Sequence, residues 1–298
     1  MASVFKATDL HTGELVALKI PFAQLERDSV FRERFQRESK IGRILNHPGI
    51  IRIVPVDSPV RLYLAMEYVE GQTLWDRMRH ERLLPIDEAV GIARQLCDAL
   101  DHMERHQVFH RDIKPANVML CRDGSVRIMD FGVAMTATAR RLTLAGAKGI
   151  GTPEYMAPEQ VNGRRGDHRA DIYSLGAMLY EMTTGQRPYD EQPDIYSLIK
   201  ARLAGDPIAP RHVNPSLSPA VEEIILHALA RDPDDRYRSA AELKIDLGCP
   251  NRVALTGRAA RLKRVKLRSQ AWIVAGLVAA ALAAPVLLFF LFLQLLRR

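Results

Sequence analysis

Cysteine is nearly absent from this chain: Cys97, Cys121 and Cys249 are the only three in 298 residues, and no two stand at a metal-ligand spacing. That excludes a disulfide framework and a cysteine zinc site, and it fits a reducing compartment. Acidic residues are missing from the end, where none follows Asp246. Glycine is missing from the beginning, where the first is Gly13 and an apolar run opens at Val4 and Phe5. Internal repeats and low-complexity linkers are missing before residue 250.

What is present has a globular balance, 47% hydrophobic and 26% charged, enough to bury one large core or two smaller ones. The formal net charge of +7 suggests a nucleic-acid partner at first sight, but its distribution argues otherwise. From Arg258 onward there are eight Lys or Arg and no Asp or Glu; taking these eight from 42 leaves 34 basic against 35 acidic residues upstream. The globular part is near neutral, and no nucleic acid is expected.

Residues 271–293 carry no charged or strongly polar side chain. A helix of that length reaches about 35 Å, enough to cross a bilayer core, and Pro285 is tolerated within such a span. Arg258, Arg261, Lys263, Arg264, Lys266 and Arg268 precede it and Arg297 and Arg298 follow, so the positive-inside bias places the amino-terminal part in the cytoplasm. The expected organisation is a globular domain at 1–250 and a basic juxtamembrane segment at 251–270 that also meets anionic headgroups. A single transmembrane helix at 271–293 in the cell membrane and a short tail at 294–298 complete it.

Within the globular part, His11, Thr12 and Gly13 form a turn that leads into a strand from Val16 to Ile20. Phe31, Phe35, Ile41, Ile44 and Leu45 recur at near-helical spacing, and IIRIVPV and RLYLAMEYV read as two further strands. After Gly71 the pattern turns helical: Ala89, Val90, Ala93, Leu96, Cys97, Leu100 and Met103 share one face, with Pro85 near the helix start. The fold class is α+β, a small sheet-rich lobe of about residues 1–69 joined through MEYVEGQ to a larger helical lobe of about residues 70–250.

The chemistry gathers at the start of the helical lobe. VFHRDIKPANVML sets His110, Arg111 and Asp112 after an apolar pair, followed by Lys114 and Asn117, and VRIMDFG ends a short apolar strand at Asp130, Phe131 and Gly132. Two loops at strand ends thus present Asp112, Lys114, Asn117 and Asp130 together. Phosphoryl transfer calls for such a set, because its transition state spreads negative charge and is stabilised chiefly by positioning and electrostatics. Asp130 and Asn117 supply hard oxygen ligands suited to Mg²⁺, Asp112 can take the proton of an attacking hydroxyl, and Lys114 can neutralise the migrating phosphate.

VALK at 16–19, HRDIKPAN, DFG, GTPEYMAPE from Gly151 to Glu159, and DIYSLG from Asp171 stand in an order and spacing that resemble the eukaryotic-like (Hanks-type) bacterial serine/threonine protein kinases over residues 2–247. The resemblance implies the bilobal protein-kinase fold, ATP with Mg²⁺ or Mn²⁺, protein substrates, and self-association for autophosphorylation. It makes Lys19 the clamp on the α- and β-phosphates and Glu38 its helix partner, Glu33 fitting the pattern less well. Val4 and Ala17 fall in its nucleotide site; Met66, Glu67 and Val69 resemble the gatekeeper and hinge. Arg111 resembles the arginine that pairs with a phosphorylated activation loop, for which Thr136, Thr138 and Thr143 are acceptors. Thr152 resembles the threonine that contacts the catalytic Asp and Lys, Glu159 and Arg236 a structural ion pair, and Asp171 the acceptor of catalytic-loop amides. Lys114 and Pro115 are similar to the serine/threonine form, while Ala116 gives no support for arginine selection in the substrate.

One element of the family pattern is missing. The phosphate loop reads G-x-G-x-x-G-x-V, and anchoring its valine on Val4 sets Ala2 at the third glycine and the first two before Met1. Bacterial members often write G-x-G-G-M-A-x-V, so MASV resembles its second half and Met1 is expected to be an internal loop methionine, leaving the small lobe without its first strand. The alternative is a pseudokinase acting as a membrane-tethered interaction platform; the filled charged positions favour the enzyme.

Overall fold

The computed structural model describes residues 2–55, 62–131, 153–189 and 195–263. The chain divides into a compact unit, Met1–Lys263, and a second, Arg264–Arg298, which lies outside the described residues. So do the expected span at 271–293, Gly132, and Thr136, Thr138, Thr143 and Thr152. Among the described residues no helix is long and apolar enough to cross a membrane.

The small lobe begins with strands β1 (Ala2–Thr8) and β2 (Leu15–Pro21), paired antiparallel with Val4 opposite Lys19. Asp9 shapes their turn: its carboxylate accepts from the backbone N–H of His11 at 2.8 Å, and Gly13 takes the left-handed φ of 73° that the reversal needs. Helix α1 (Ser29–Ile44) follows, capped by the Asp28 carboxylate accepting from Val30 and Phe31 N–H. Phe35, 4% exposed, seats it on the sheet, which is completed by β3 (Ile53–Val54) and β4 (Leu64–Glu67) in the order β1-β2-β4-β3. The two strands read from IIRIVPV and RLYLAMEYV are thus shorter than the sequence suggested; Pro55, which has no N–H to pair, ends β3.

The larger lobe opens with β5 (Gly71–Thr73) and α2 (Leu74–His80), then α3 (Ile86–Arg105), whose cap residue is Pro85. Ala89, Ala93, Leu96, Cys97, Leu100 and Met103 are buried along α3, joined by Ile92 and Ala99. Strands β6 (Val118–Cys121) and β7 (Val126–Ile128) pair with β5 in the order β5-β6-β7. Beyond them come α4 (Pro158–Val161), α5 (His168–Thr184), α6 (Ile195–Ala204), α7 (Pro219–Ala228) and α8 (Ala240–Gly248). Helix α5 is apolar on nearly every side and runs through the core, closing on Gly185 at φ 69°.

Two features depart from expectation. The loop of His110 to Lys114 does not follow a strand: Val108 and Phe109 leave the end of α3 without sheet pairing, and the loop reaches β6 through a 3₁₀ turn at Pro115–Asn117. The compact unit also continues past residue 250 to Lys263, because Glu223 of α7 receives Thr256 Oγ1 at 2.5 Å and Asp206 receives Lys263 N–H at 2.6 Å.

Backbone hydrogen bonds join the lobes along a short seam. Ile50 forms a parallel bridge to Ile128 of β7, Ile51 N–H donates to Ile128 O at 2.9 Å, and Ile128 N–H donates to Gly49 O at 2.8 Å.

Candidate active site

Lys19 projects from β2 into the space between the lobes, where its Nζ lies 2.8 Å from Glu38 Oε1 of α1 and 2.6 Å from Asp130 Oδ1 just after β7. Burial alone would depress the Lys19 pKa, but the two carboxylates outweigh it and hold the ammonium above its ordinary value. Burial also keeps Glu38 above the usual carboxylate range, against the pull of Lys19. Glu33, the other helix candidate, is exposed and makes no such pair.

The second cluster is built by the loop after α3. Asp112 Oδ2 receives Lys114 Nζ at 2.7 Å, and Asn117 Nδ2 donates to Asp112 O at 2.8 Å and to Asp112 Oδ2 at 3.2 Å. With Nδ2 committed to Asp112, Oδ1 is the oxygen that Asn117 can offer a cation, and its backbone O accepts Met129 N–H at 3.0 Å, next to the Asp130 carboxylate that leaves β7. That hard, oxygen-only pair fits Mg²⁺.

Backbone strain is concentrated here. Arg111 and Asp130 both adopt left-handed φ values, 63° and 58°, although neither is glycine. Arg111 is held so by Asp171 of α5, 3% exposed, whose carboxylate accepts Arg111 N–H at 2.6 Å and His110 N–H at 2.8 Å. Burial pushes the Asp171 pKa up while these donors oppose it. His110, wholly buried, ties the two clusters together: Nδ1 accepts Asp112 N–H at 3.3 Å and Nε2 donates to Met129 O at 3.2 Å, a pattern satisfied by the tautomer carrying its proton on Nε2. Phe131 packs beside it, ring centroids 6.2 Å apart.

The remaining sequence-marked residues fall around this centre. Met66 is buried on β4 opposite Ala17, and Val69 packs against the core. The Glu67 side chain is occupied structurally, bridging Arg127 at 2.7 Å and accepting Arg52 N–H at 2.8 Å. Val4 on β1 is exposed. Arg111 lies with its side chain on Gly166 O at 3.3 Å, and burial together with the like charges of Arg165 and Arg37 lowers its pKa against the pull of Asp171. Arg236 and Glu159 lie further off as a bidentate pair at 2.9 and 2.7 Å, the Arg236 side chain fully buried over the Tyr173 ring.

Two residues of this architecture carried no signal in the sequence. Gln160, 2% exposed, accepts Ala157 N–H at 2.9 Å and donates to Arg111 O at 3.1 Å, fastening the segment before α4 to the loop of Asp112. Arg202 of α6, 1% exposed, donates to Met156 O and lies over the Tyr189 ring. Each is a polar residue with a partner remote in sequence, Arg111 for Gln160 and Met156 for Arg202, and neither belongs to a recognisable string.

Comparison with known proteins matches residues 1–245 to the protein kinase domain. The chain is 36% identical over 255 residues to the serine/threonine-protein kinase PknB of Mycolicibacterium smegmatis, covering 83% of this chain and 40% of that protein. It is 37% identical over 253 residues to PknB of Mycobacterium tuberculosis, with the same coverages. A probable serine/threonine-protein kinase of Streptomyces coelicolor is 38% identical over 253 residues, 83% of this chain and 37% of that protein. The chain thus spans about two fifths of the length of these relatives.

Proposed function

Because the chain belongs to the protein kinase family, we propose that it transfers the γ-phosphate of ATP to serine and threonine hydroxyls of proteins, itself among them. The observation that carries this reading is the convergence of two charge clusters. Lys19, Glu38 and Asp130 form one, Asp112, Lys114 and Asn117 the other, and His110 bonds to the loops of both.

Each side chain has a role that its position supports. Lys19, steadied by Glu38, holds the α- and β-phosphates in register. Asp112 orients the substrate hydroxyl and takes its proton, and Lys114, already 2.7 Å from that carboxylate, balances charge on the phosphoryl group as it moves. Asp130 and Asn117 are the residues that would hold Mg²⁺, or Mn²⁺ in its place; the cation, when bound, neutralises phosphate charge as it develops. Met66 borders the adenine of ATP, and the backbone from Glu67 to Val69 offers it hydrogen bonds. The charged positions that a platform without catalysis could dispense with are all filled, which supports the enzyme reading.

The site sits in a chain that we read as anchored. The uncharged run at 271–293 and the basic residues before it support a single span in the cell membrane, with the catalytic unit on the cytoplasmic side.

Incubated with Mg·ATP and a generic protein, the full-length chain should phosphorylate the protein and itself on Ser and Thr. Asp112→Asn and Asp130→Asn should each abolish both reactions and leave far-ultraviolet circular dichroism unchanged. Retention of activity in Asp130→Asn, or phosphotyrosine as the main product, would refute the assignment.

A further inference from the structure

We propose that Gly42 is a positioning residue, whose missing side chain lets α1 settle against β3 closely enough for Glu38 to reach Lys19. The inference rests on the kinase reading above and concerns how its phosphate clamp is assembled. Gly42 is buried on α1, one turn beyond Glu38, so both lie on one face of the helix. A Cβ on Gly42 would stand 2.0 Å from Ile53 Cγ1, 3.1 Å from Cδ1 and 3.2 Å from Cβ. Ile53 has little room to yield: it is 5% exposed, β-branched, and locked in β3 opposite Met66.

An interior glycine weakens a helix relative to alanine, so nothing in α1 itself calls for one here. What calls for it is the approach of the strand. Restoring an ordinary contact of 3.4 Å from the 2.0 Å overlap requires the helix to retreat by about 1.4 Å. Passed one turn back to Glu38, a retreat of that size stretches the 2.8 Å bond to Lys19 beyond hydrogen-bond reach. The cluster around Asp112 lies in the other lobe and keeps its geometry. Gly42 therefore governs the clamp and leaves the base alone.

The test is Gly42→Ala in the full-length chain, read by steady-state phosphorylation of a generic protein and by thermal unfolding. The expected result is a loss of kcat of about tenfold or more, the scale of a forfeited charge-assisted hydrogen bond. Ile53→Ala removes the obstructing Cγ1, so Gly42→Ala combined with Ile53→Ala should recover activity that Gly42→Ala alone has lost. Gly91→Ala on α3 is the control, because a Cβ there meets nothing within 4 Å; it should raise the melting temperature and leave the rate unchanged. Full activity with raised stability in Gly42→Ala, or a double variant no better than the single one, overturns the proposal. Lys19→Met separates the two levels of inference: if it too is fully active, the kinase reading itself fails, whereas an inactive Lys19→Met beside a fully active Gly42→Ala refutes the role of Gly42 alone.

Discussion

Replacing Asp171 by asparagine changes almost nothing in size and removes one of two acceptor oxygens from a buried site. In the parent, the carboxylate receives Arg111 N–H at 2.6 Å and His110 N–H at 2.8 Å. An asparagine offers one oxygen and turns an NH₂ group toward the other amide, so a buried N–H is left without a partner, at about 1–3 kcal/mol, and the surviving bond loses its charge. Together these amount to roughly 2–4 kcal/mol, which for a domain of this size lowers the melting temperature by roughly 5–15 °C. The catalytic effect should be larger. Arg111 is held at φ 63°, a conformation that costs about 1–3 kcal/mol and persists only while Asp171 restrains it. Once it relaxes, Asp112 on the next residue swings away from the substrate hydroxyl, and a misplacement of about 1 Å is worth about a hundredfold in rate. Lys19 and Glu38 belong to the other lobe, so the KM for ATP should stay near the parental value. Thermal unfolding by circular dichroism and initial rates at varied ATP measure the three quantities separately. Parental melting temperature and kcat in Asp171→Asn, or a loss of ATP affinity in step with kcat, would show that Asp171 does not brace the catalytic loop.

Features away from the transfer site make two further outcomes measurable. His47, His102 and His106 stand in a row of tilted rings with centroids 5.0 and 4.4 Å apart, and burial lowers the pKa of His47 and, with the neighbouring rings and Arg105, that of His102. The folded state then binds fewer protons than the unfolded one, so stability should be complete above the ordinary histidine range and fall as pH drops through it. Urea midpoints between about pH 7.5 and about pH 5, compared with those of His102→Gln, should show a flatter dependence in the variant; identical slopes would count against this role of the histidine row. The full-length protein should remain with membranes in high salt, because apolar burial is insensitive to screening, and deletion of residues 271–298 should release it; release of the intact chain by salt alone would exclude a spanning helix.

Local pattern carries part of this molecule openly. The periodicity of Ala89, Ala93, Leu96, Cys97, Leu100 and Met103 marks the buried face of α3, because a helix repeats its environment every three to four residues. Asp112, Lys114 and Asn117 lie within six residues of one another, so their cluster follows from one string. The pair of Lys19 and Glu38, 19 residues apart, needed the family pattern to separate Glu38 from Glu33. Other contacts have no local trace. Gln160 reaches Arg111 across 49 residues, Arg202 reaches Met156 across 46, and the closeness of Gly42 to Ile53 depends on how a helix sits on a strand. Burial of a polar side chain is decided by its distant neighbours, and the composition of its own segment says little about them.

The seam between the lobes has a mechanical consequence. Gly49 and Ile51 of the small lobe are hydrogen-bonded to Ile128, and Asp130 follows two residues later. The carboxylate assigned to the metal is therefore tied through the backbone to both lobes at once. Were the lobes to part about this seam as covers part about a spine, Asp130 would move least and the β1–β2 hairpin most. The 2.6 Å bond between Lys19 and Asp130, which joins the two covers, would then be the gauge of how far they had parted.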